Sequence, residues 1–423
     1  MLNIKLLRER PQFVAERLAV KNFDATEIIK SINELDQKRR ETQTELDTIL
    51  SEQNLLSKKI GLLMKDGKIV EAEEVKAKVS DLKEKSKLLE NEMQIVSSKM
   101  NEQLLLLPNL PHISVPSGKS AEDNVIVREG GSIPEFDKSA LPHWELARKY
   151  DIIDFDLGVK LTGAGFPVYK GKGAKIQRAL ISYFLDKNTN AGYTEFQPPL
   201  MVNEASGYGT GQLPDKGEQM YYVNLDNFYL IPTAEVPVTN IFRDVILGYS
   251  DLPVKCTAYT PCFRREAGSY GKDVRGLNRL HQFDKVEIVQ ITHPDNSYDA
   301  LEEMVKHVEG IVRSLCLPYR ILRLCGGDMS FTSALTYDFE VYSAAQRRWL
   351  EVSSVSNFET FQSNRLKLRF KDENGKTQLA HTLNGSSLAL PRILAALLEN
   401  NQTERGIEIP SVLREYTGFS YID

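Results

Sequence analysis

"PCFRREAGSYGKDVRGLNRLHQFDKVEIV", residues 261–289, decides how the rest of the chain is read. Its flanks, "VKCTAYTPCFRRE" and "HQFDKVEIVQI", mix β-branched and aromatic residues with polar ones, which is strand composition. Between them, "AGSYGKDVRG" carries Gly268, Gly271 and Gly276 and reads as a mobile loop. The spacing predicts a long hairpin with cations and anions at both stems. A solvated hairpin whose charges only pair with one another is the competing reading, and the surrounding sequence has to separate the two.

Upstream, one pattern is unbroken. Ile28, Ile32, Leu35, Arg39, Thr42, Leu46, Ile49, Gln53, Leu56, Ile60 and Leu63 alternate spacings of four and three, a heptad seam. A second seam runs through Val75, Val79, Leu82, Ser86, Leu89, Met93, Val96 and Met100, with Asp66-Gly67 between the two as a turn. In an antiparallel pair, facing residues have a constant sum of residue numbers. Pairing Leu63 with Val75, Ile60 with Val79, Leu56 with Leu82, Gln53 with Ser86, Ile49 with Leu89 and Leu46 with Met93 gives 138 or 139 each time. The polar breaks Gln53 and Ser86 then share a layer, which fixes register at some cost in stability. Helices of roughly 35 residues are about 50 Å long, so residues 28–100 are expected to project as an antiparallel coiled-coil arm. Lys38-Arg39-Arg40, Lys58-Lys59 and Lys83, Lys85 and Lys87 are its basic clusters, offset by acidic neighbours. A protein-interaction or dimerisation coiled coil fits this pattern as well as a nucleic-acid-binding arm does. Prolines at 108, 111 and 116 end the arm near Leu107.

The 423 residues suffice for two or three domains, and a composition 41% hydrophobic and 26% charged is that of a soluble globular protein. No run of about 18 apolar residues predicts a membrane span, and "MLNIKLLRERPQF" is too charged for a signal peptide. Cys256, Cys262, Cys316 and Cys325 form no C-x-x-C pair, so neither a disulfide framework nor a zinc site is expected, and a cytoplasmic location is. A net charge of −5 gives no global attraction to nucleic acid, leaving local basic faces to supply any.

From about residue 119 strands and helices mix in an α+β order. "GAKIQRALISYFLDKNTNAGYTEFQPPLMV" reads as a helix capped by Gly192 and a strand ending at Pro198-Pro199. "FYLIPTAEVPVTNIF" reads as strand, Thr-Ala-Glu turn and helix. "RRWLEVSSVSNFETFQSNRLKLRF" reads as a strand, a polar turn and a helix. "AHTLNGSSLALPRILAALLEN" reads as a strand, an Asn-Gly turn and a buried helix beginning near Ser386.

These residues carry a family resemblance that covers the chain. "GYTEFQPPL" resembles motif 1 of the class II aminoacyl-tRNA synthetases, "FRREAGSYGKDVRGLNRLHQF" motif 2, and "NGSSLALPR" motif 3. "IPTAE" (231–235) resembles the serine-binding loop of the bacterial-type seryl-tRNA synthetases, the arm their tRNA-binding hairpin, and "LPNLPHISVPSG" the junction. The resemblance implies a class II antiparallel sheet flanked by helices, an N-terminal tRNA-binding domain at 1–107, a Pro-rich junction at 108–118 and a catalytic domain at 119–423. It implies a homodimeric, membrane-free enzyme that activates L-serine with ATP and Mg²⁺ and charges tRNA(Ser) and tRNA(Sec).

The resemblance also implies roles for residues. Arg264 would clamp the α-phosphate and meet the serine carboxylate, and Arg279 and Arg392 would hold the β- and γ-phosphates; Arg264 and Arg392 are the catalytic pair. Glu266 would accept from the adenine amino group, Phe283 would stack on the ring, and Arg265 would contribute only backbone. Glu351, Val352, Ser353 and Ser354 complete the ATP site, with Glu351 and Ser354 placing magnesium. Serine would be read by Thr233, Ala234, Glu235, Glu287, Asn384 and Ser386. Taken singly, Phe283 is as well explained by a core, Glu351 by an ion pair and Arg392 by a helix surface.

Three other readings compete with this one. Synthetases for threonine, proline or glycine carry a C-terminal anticodon-binding domain, and only 31 residues follow Arg392. Paralogues that charge a carrier protein lack the arm. A coiled-coil adaptor with a degenerate catalytic domain has no use for the motif arginines and carboxylates.

Overall fold

The structure is a computed structural model of the chain and describes every residue except 137–139, 216 and 267–274. The glycine-rich part of the hairpin loop therefore lies outside the described residues. The chain divides into two compact units: Met1–Ala19 with Phe23–Pro108, and Val20–Asn22 with Asn109–Asp423.

In the first unit, two short helices lead into α1 (Thr26–Lys65) and α2 (Ile69–Leu106). Every residue of both predicted seams is buried or half-buried. Gly67 makes the turn with φ +70°, a conformation that suits glycine. The polar layer forms as the pairing requires: Gln53 Nε2 donates to Ser86 Oγ at 3.2 Å. Apolar layers lie on either side, Leu46, Ile49 and Leu89 toward the base and Leu63, Ala72 and Val75 toward the tip. The basic clusters are not equivalent. Asp36, buried on the inner face, takes Arg8, Arg39 and Arg40 at 2.8, 2.9 and 3.2 Å. Burial alone would raise its carboxyl, but Arg39 and Arg8 hold it below the usual carboxylate range. Lys38 pairs with Glu92 and Lys85 with Glu45. Lys58, Lys59, Lys83 and Lys87 are exposed and make no ion pair among the described residues.

The second unit is built on one eight-stranded sheet. Its strands are β1 (Val125–Gly130), β2 (Thr194–Glu195), β3 (Val254–Phe263), β4 (Gln282–Thr292), β5 (Tyr319–Arg323), β6 (Leu335–Ser343), β7 (Arg348–Glu359) and β8 (His381–Ala389). They lie in the order β1-β5-β6-β7-β8-β4-β3-β2. Every neighbouring pair is antiparallel except β2 with β3. The hairpin predicted around residues 261–289 is β3–β4, with Phe263 opposite Gln282 at its stem. Helices α3 (Gly171–Asn190), α4 (Glu235–Asn240), α5 (Ser297–Ser314), α6 (Thr360–Leu366) and α7 (Leu390–Asn400) complete the frame. Phe184, Met304, Val308 and Leu394 from α3, α5 and α7 pack with Val286, Ile288, Phe339 and Leu383 of the sheet in one core.

Two local expectations are corrected. Asn384-Gly385 is not a turn, and no helix starts near Ser386; β8 runs through to Ala389 and α7 begins at Leu390. The reason is pairing on both sides, with Gly385 opposite Ile288 of β4 and Val355 of β7. Glycine is needed there for proximity, because a Cβ would stand 2.9 Å from the Val355 side chain. Likewise "SSVSNFE" is not a polar turn: β7 continues to Glu359, whose φ of +48° starts α6 abruptly.

Candidate active site

Period-two alternation sends Val286 and Ile288 into the core and Phe283, Lys285 and Glu287 into a cavity of about 640 Å³. Glu351 and Ser354 cannot share a face of a regular strand. In β7 the register slips by one: Phe339 faces Ser353 while Glu340 faces Glu351, so Val352 is the extra residue of a β-bulge. The bulge reverses the parity, and Glu351, Ser354 and Ser356 all line the cavity. Asn384 and Ser386 enter from β8, with Ser386 directly opposite Glu287. Phe263 donates its N–H to Ile231 O at 2.9 Å, tying the Thr-Ala-Glu turn to the end of β3.

One wall is the backbone of 330–333. Lys21 Nζ donates to Ser330 O and Ser333 O, both at 2.8 Å, and Asn109 Nδ2 to Thr332 O at 2.9 Å and Phe358 O at 2.8 Å. Ser330, Thr332 and Phe358 line the cavity, so these two side chains set its wall from behind.

The cavity has a cationic end. Arg264 donates to Pro232 O at 3.4 Å, and its guanidinium lies 5.2 Å from the centre of the Phe283 ring. Arg279 pairs with Glu266 at 3.0 Å. Arg392, in the first turn of α7, is aimed by two carbonyls, Asn278 O at 2.9 Å and Glu351 O at 2.8 Å, and reaches the Glu351 carboxylate at 3.5 Å. Magnesium fits beside it: Glu351 and Ser354 are hard oxygen donors, and behind them Asp338, opposite Ser354 in the sheet, has an Oδ1 that is buried without a partner among the described residues. Burial, with Glu351 close by, holds Asp338 well above the usual carboxylate range. A divalent cation would relieve that crowding of like charge.

The other end is a small polar pocket. Glu287 Oε2 accepts from Thr233 Oγ1 at 2.9 Å and pairs with Lys285 Nζ at 2.7 Å. Glu235 Oε1 accepts from Gln362 Nε2 at 2.6 Å, and Thr382 fixes that amide at 2.7 Å. Burial first, and the Glu287 carboxylate second, push Glu235 up to about 7. Asn384 Nδ2 is buried and makes no well-formed hydrogen bond among the described residues, although it lies close enough to Glu235 to act on its carboxyl, so a ligand oxygen is what would satisfy it fully.

Of the site residues expected from the sequence, all but two line this cavity. Ala234 is fully buried beneath the turn, and Arg265 is exposed, its N–H bonded to Gln219 O at 2.8 Å. Sequence reasoning missed Lys285, the aiming carbonyl of Asn278 and the wall at 330–333. The i, i+2, i+4 spacing of Phe283, Lys285 and Glu287 was the available signal for the first.

A cationic cleft on an antiparallel sheet, continuous with a small acidic pocket, is the arrangement of a class II aminoacyl-tRNA synthetase core. The family profiles agree: residues 221–401 match the tRNA synthetase class II core domain (G, H, P, S and T), and residues 1–111 the seryl-tRNA synthetase N-terminal domain. Among curated relatives, the serine--tRNA ligase of Salinibacter ruber is 52% identical over 100% of this chain and 99% of its own length. That of Methylacidiphilum infernorum is 48% identical over 100% of both. A crystal structure of seryl-tRNA synthetase from Pyrococcus horikoshii complexed with ATP superposes with a TM-score of 0.92 at 34% identity, covering 100% of this chain and 99% of that one. The chain belongs to the seryl-tRNA synthetases, and it is an aminoacyl-tRNA ligase. Among the described residues no helix is long and apolar enough to cross a membrane.

Proposed function

We propose that the protein activates L-serine with ATP to seryl-adenylate and pyrophosphate, then transfers the seryl group to tRNA(Ser), and also to tRNA(Sec), releasing AMP. The observation that carries this is the continuity of the two ends of one cavity. The arginines and the Glu351–Ser354 corner suit a triphosphate and its magnesium, and the Thr233–Glu235–Glu287–Asn384 pocket suits a small molecule with an ammonium and a hydroxyl.

In the first step a serine carboxylate oxygen bonds to the α-phosphorus and the bond to the β-phosphate oxygen breaks. The nucleophile is already an anion, so no general base is required, and catalysis is positioning plus charge stabilisation. Arg264 clamps the α-phosphate and serine carboxylate; Arg279 and Arg392 hold the outer phosphates; Glu266 and Phe283 hold adenine. Magnesium, held by Glu351 and Ser354, would neutralise phosphate charge. In the second step a terminal ribose hydroxyl of the tRNA attacks the carbonyl carbon and AMP leaves. Residues 1–107 form the tRNA-binding domain and 119–423 the catalytic domain, joined by 108–118.

Serine-dependent ATP–pyrophosphate exchange is the deciding assay. Activity with serine and none with threonine, proline or glycine supports the reading; the reverse ranking overturns it. Glu287→Gln is expected to raise the serine KM by ~30-fold or more while changing the ATP KM little, because it leaves a buried polar group mispaired in a small pocket. Equal losses for both substrates would show that the pocket is misplaced. The motif 1 segment supports a two-fold homodimer, which light scattering at micromolar concentration should record as twice the 47.9 kDa chain mass; a monomer there sinks it.

A further inference from the structure

The amino-acid pocket holds two carboxylates and one ammonium. Lys285 and Glu287 are almost wholly buried, with 8% and 3% of their side chains exposed. Both Lys285 and Thr233 meet the same Glu287 oxygen, Oε2, which leaves Oε1 as the oxygen for a ligand. Glu235 faces them from α4; its partners are neutral amides, Gln362 of α6 and more loosely Asn384 of β8, and Lys285 acts on it only through space, without an ion pair. No cation pairs with it among the described residues. The remaining groups leave this balance as it stands. Helix α4 carries no other ionisable residue. On α6, Arg365 turns away to Tyr208 O and Leu213 O, and on β8 His381 is bonded to Ser297. From β3, the Cys262 thiol, pushed up by burial, feels Lys285 and Glu287, and Arg264, just beyond the strand, is turned to Pro232 O and the Phe283 ring. Lys285 therefore balances one of two buried negative charges.

We propose that Lys285 is a positioning residue of this pocket: it holds Glu287 by one oxygen and leaves Glu235 as a single uncompensated carboxylate that a ligand ammonium, or otherwise a proton, completes. This rests on the pocket being the amino-acid site. A lone buried carboxylate is costly unless something neutralises it. The rise of Glu235 to about 7 fits a proton in that role when no ligand ammonium is present. The ammonium and the proton then compete: as an α-ammonium group enters, one proton leaves to solvent. The sign follows, because the ionised form of Glu235 is the one that binds. Serine affinity falls as the pH drops below about 7, by up to about tenfold per pH unit, and levels off above it. An analogue with a hydroxyl in place of the ammonium, glycerate, leaves Glu235 unmatched and should bind more weakly as the pH rises.

The test is calorimetry of the full-length protein with L-serine in paired buffers of different ionisation heat, at about pH 6.5 and about pH 8. Release of a substantial fraction of a proton at the lower pH and almost none at the higher supports the proposal; no release at either overturns it without recourse to a variant. Lys285→Met keeps the aliphatic stem and removes the charge. It should weaken serine ~30-fold or more with the ATP KM within about threefold, and move proton release to higher pH. Lys285→Arg should recover much of both. Equal weakening of serine and ATP by Lys285→Met overturns the positioning role. If native protein fails to bind serine, or Glu287→Gln binds it as tightly, the amino-acid reading falls and the proposal with it. If those hold and no proton is released, only the proposal falls.

Discussion

Arg264→Ala should lower serine-dependent ATP–pyrophosphate exchange by about 10³-fold or more, the scale on which phosphate-clamping arginines act in phosphoryl transfer. The three cavity arginines are held differently, and that singles out this one. Arg279 has Glu266 at 3.0 Å, and Arg392 has two carbonyls and Glu351. Arg264 has one carbonyl at 3.4 Å and the face of Phe283, and among the described residues no carboxylate pairs with it. Its charge is thus uncommitted in the protein and available where a serine carboxylate and an α-phosphate have to be brought together against their repulsion. Removing it leaves no buried carboxylate without a partner, so the melting temperature should change little. Arg264→Lys keeps the charge but loses the two-pronged geometry and should fall between. Exchange surviving Arg264→Ala within a factor of about ten would mean the clamp is another residue.

What the sequence revealed and what it hid divide along a physical line. Heptad spacing is a property of one chain segment, so the Gln53–Ser86 layer could be placed by arithmetic and stands at 3.2 Å. The β3–β4 hairpin was legible for the same reason, its alternation and its glycines being local. Asn384-Gly385 misled because the local signal of that dipeptide is a turn, while its conformation is set by neighbours on both sides, Ile288 and Val355, more than 20 residues away in sequence. The bulge at Val352 was invisible for a related reason: a two-against-one pairing belongs to two strands at once, and no spacing within β7 announces it. Glu351 and Ser354 could be named together only through a family resemblance. Lys285 was passed over because a lysine two residues from a glutamate reads as a solvated pair, and only burial turns it into part of the pocket.

The arm carries the second large prediction. Cutting residues 28–100 down to a short turn should leave serine-dependent exchange within a few-fold of the full chain and reduce aminoacylation of tRNA(Ser) by ~10²-fold or more through weaker tRNA affinity. The first half follows from the cores: the one packed between the sheet and α3, α5 and α7 takes no residue from 28–100, and the arm's own layers close on themselves. The second half follows from charge. A protein of net charge −5 can attract a polyanion only where cations are concentrated and uncommitted. At the base of the arm, Arg39 and Arg40 are spent on Asp36 and Lys38 on Glu92, and midway along it Lys85 is spent on Glu45. Of the cations left over, those in the basic clusters, Lys58, Lys59, Lys83 and Lys87, are exposed on the middle and distal stretch. They face phosphates in this reading, so the arm would recognise the backbone and shape of the tRNA's long variable region and elbow, without touching the anticodon. Replacing these four lysines by glutamate in the full-length protein should raise the tRNA KM, leave exchange untouched and flatten the dependence of tRNA affinity on salt by about 0.7–0.9 log units per log unit for each phosphate that is no longer neutralised. The same change at Lys38, Arg39 and Arg40 should act first on the fold of the arm, by breaking the Asp36 cluster. A truncated, folded protein that charges tRNA as well as the full chain, or a four-lysine variant with an unchanged salt slope, would make the arm a protein-interaction module.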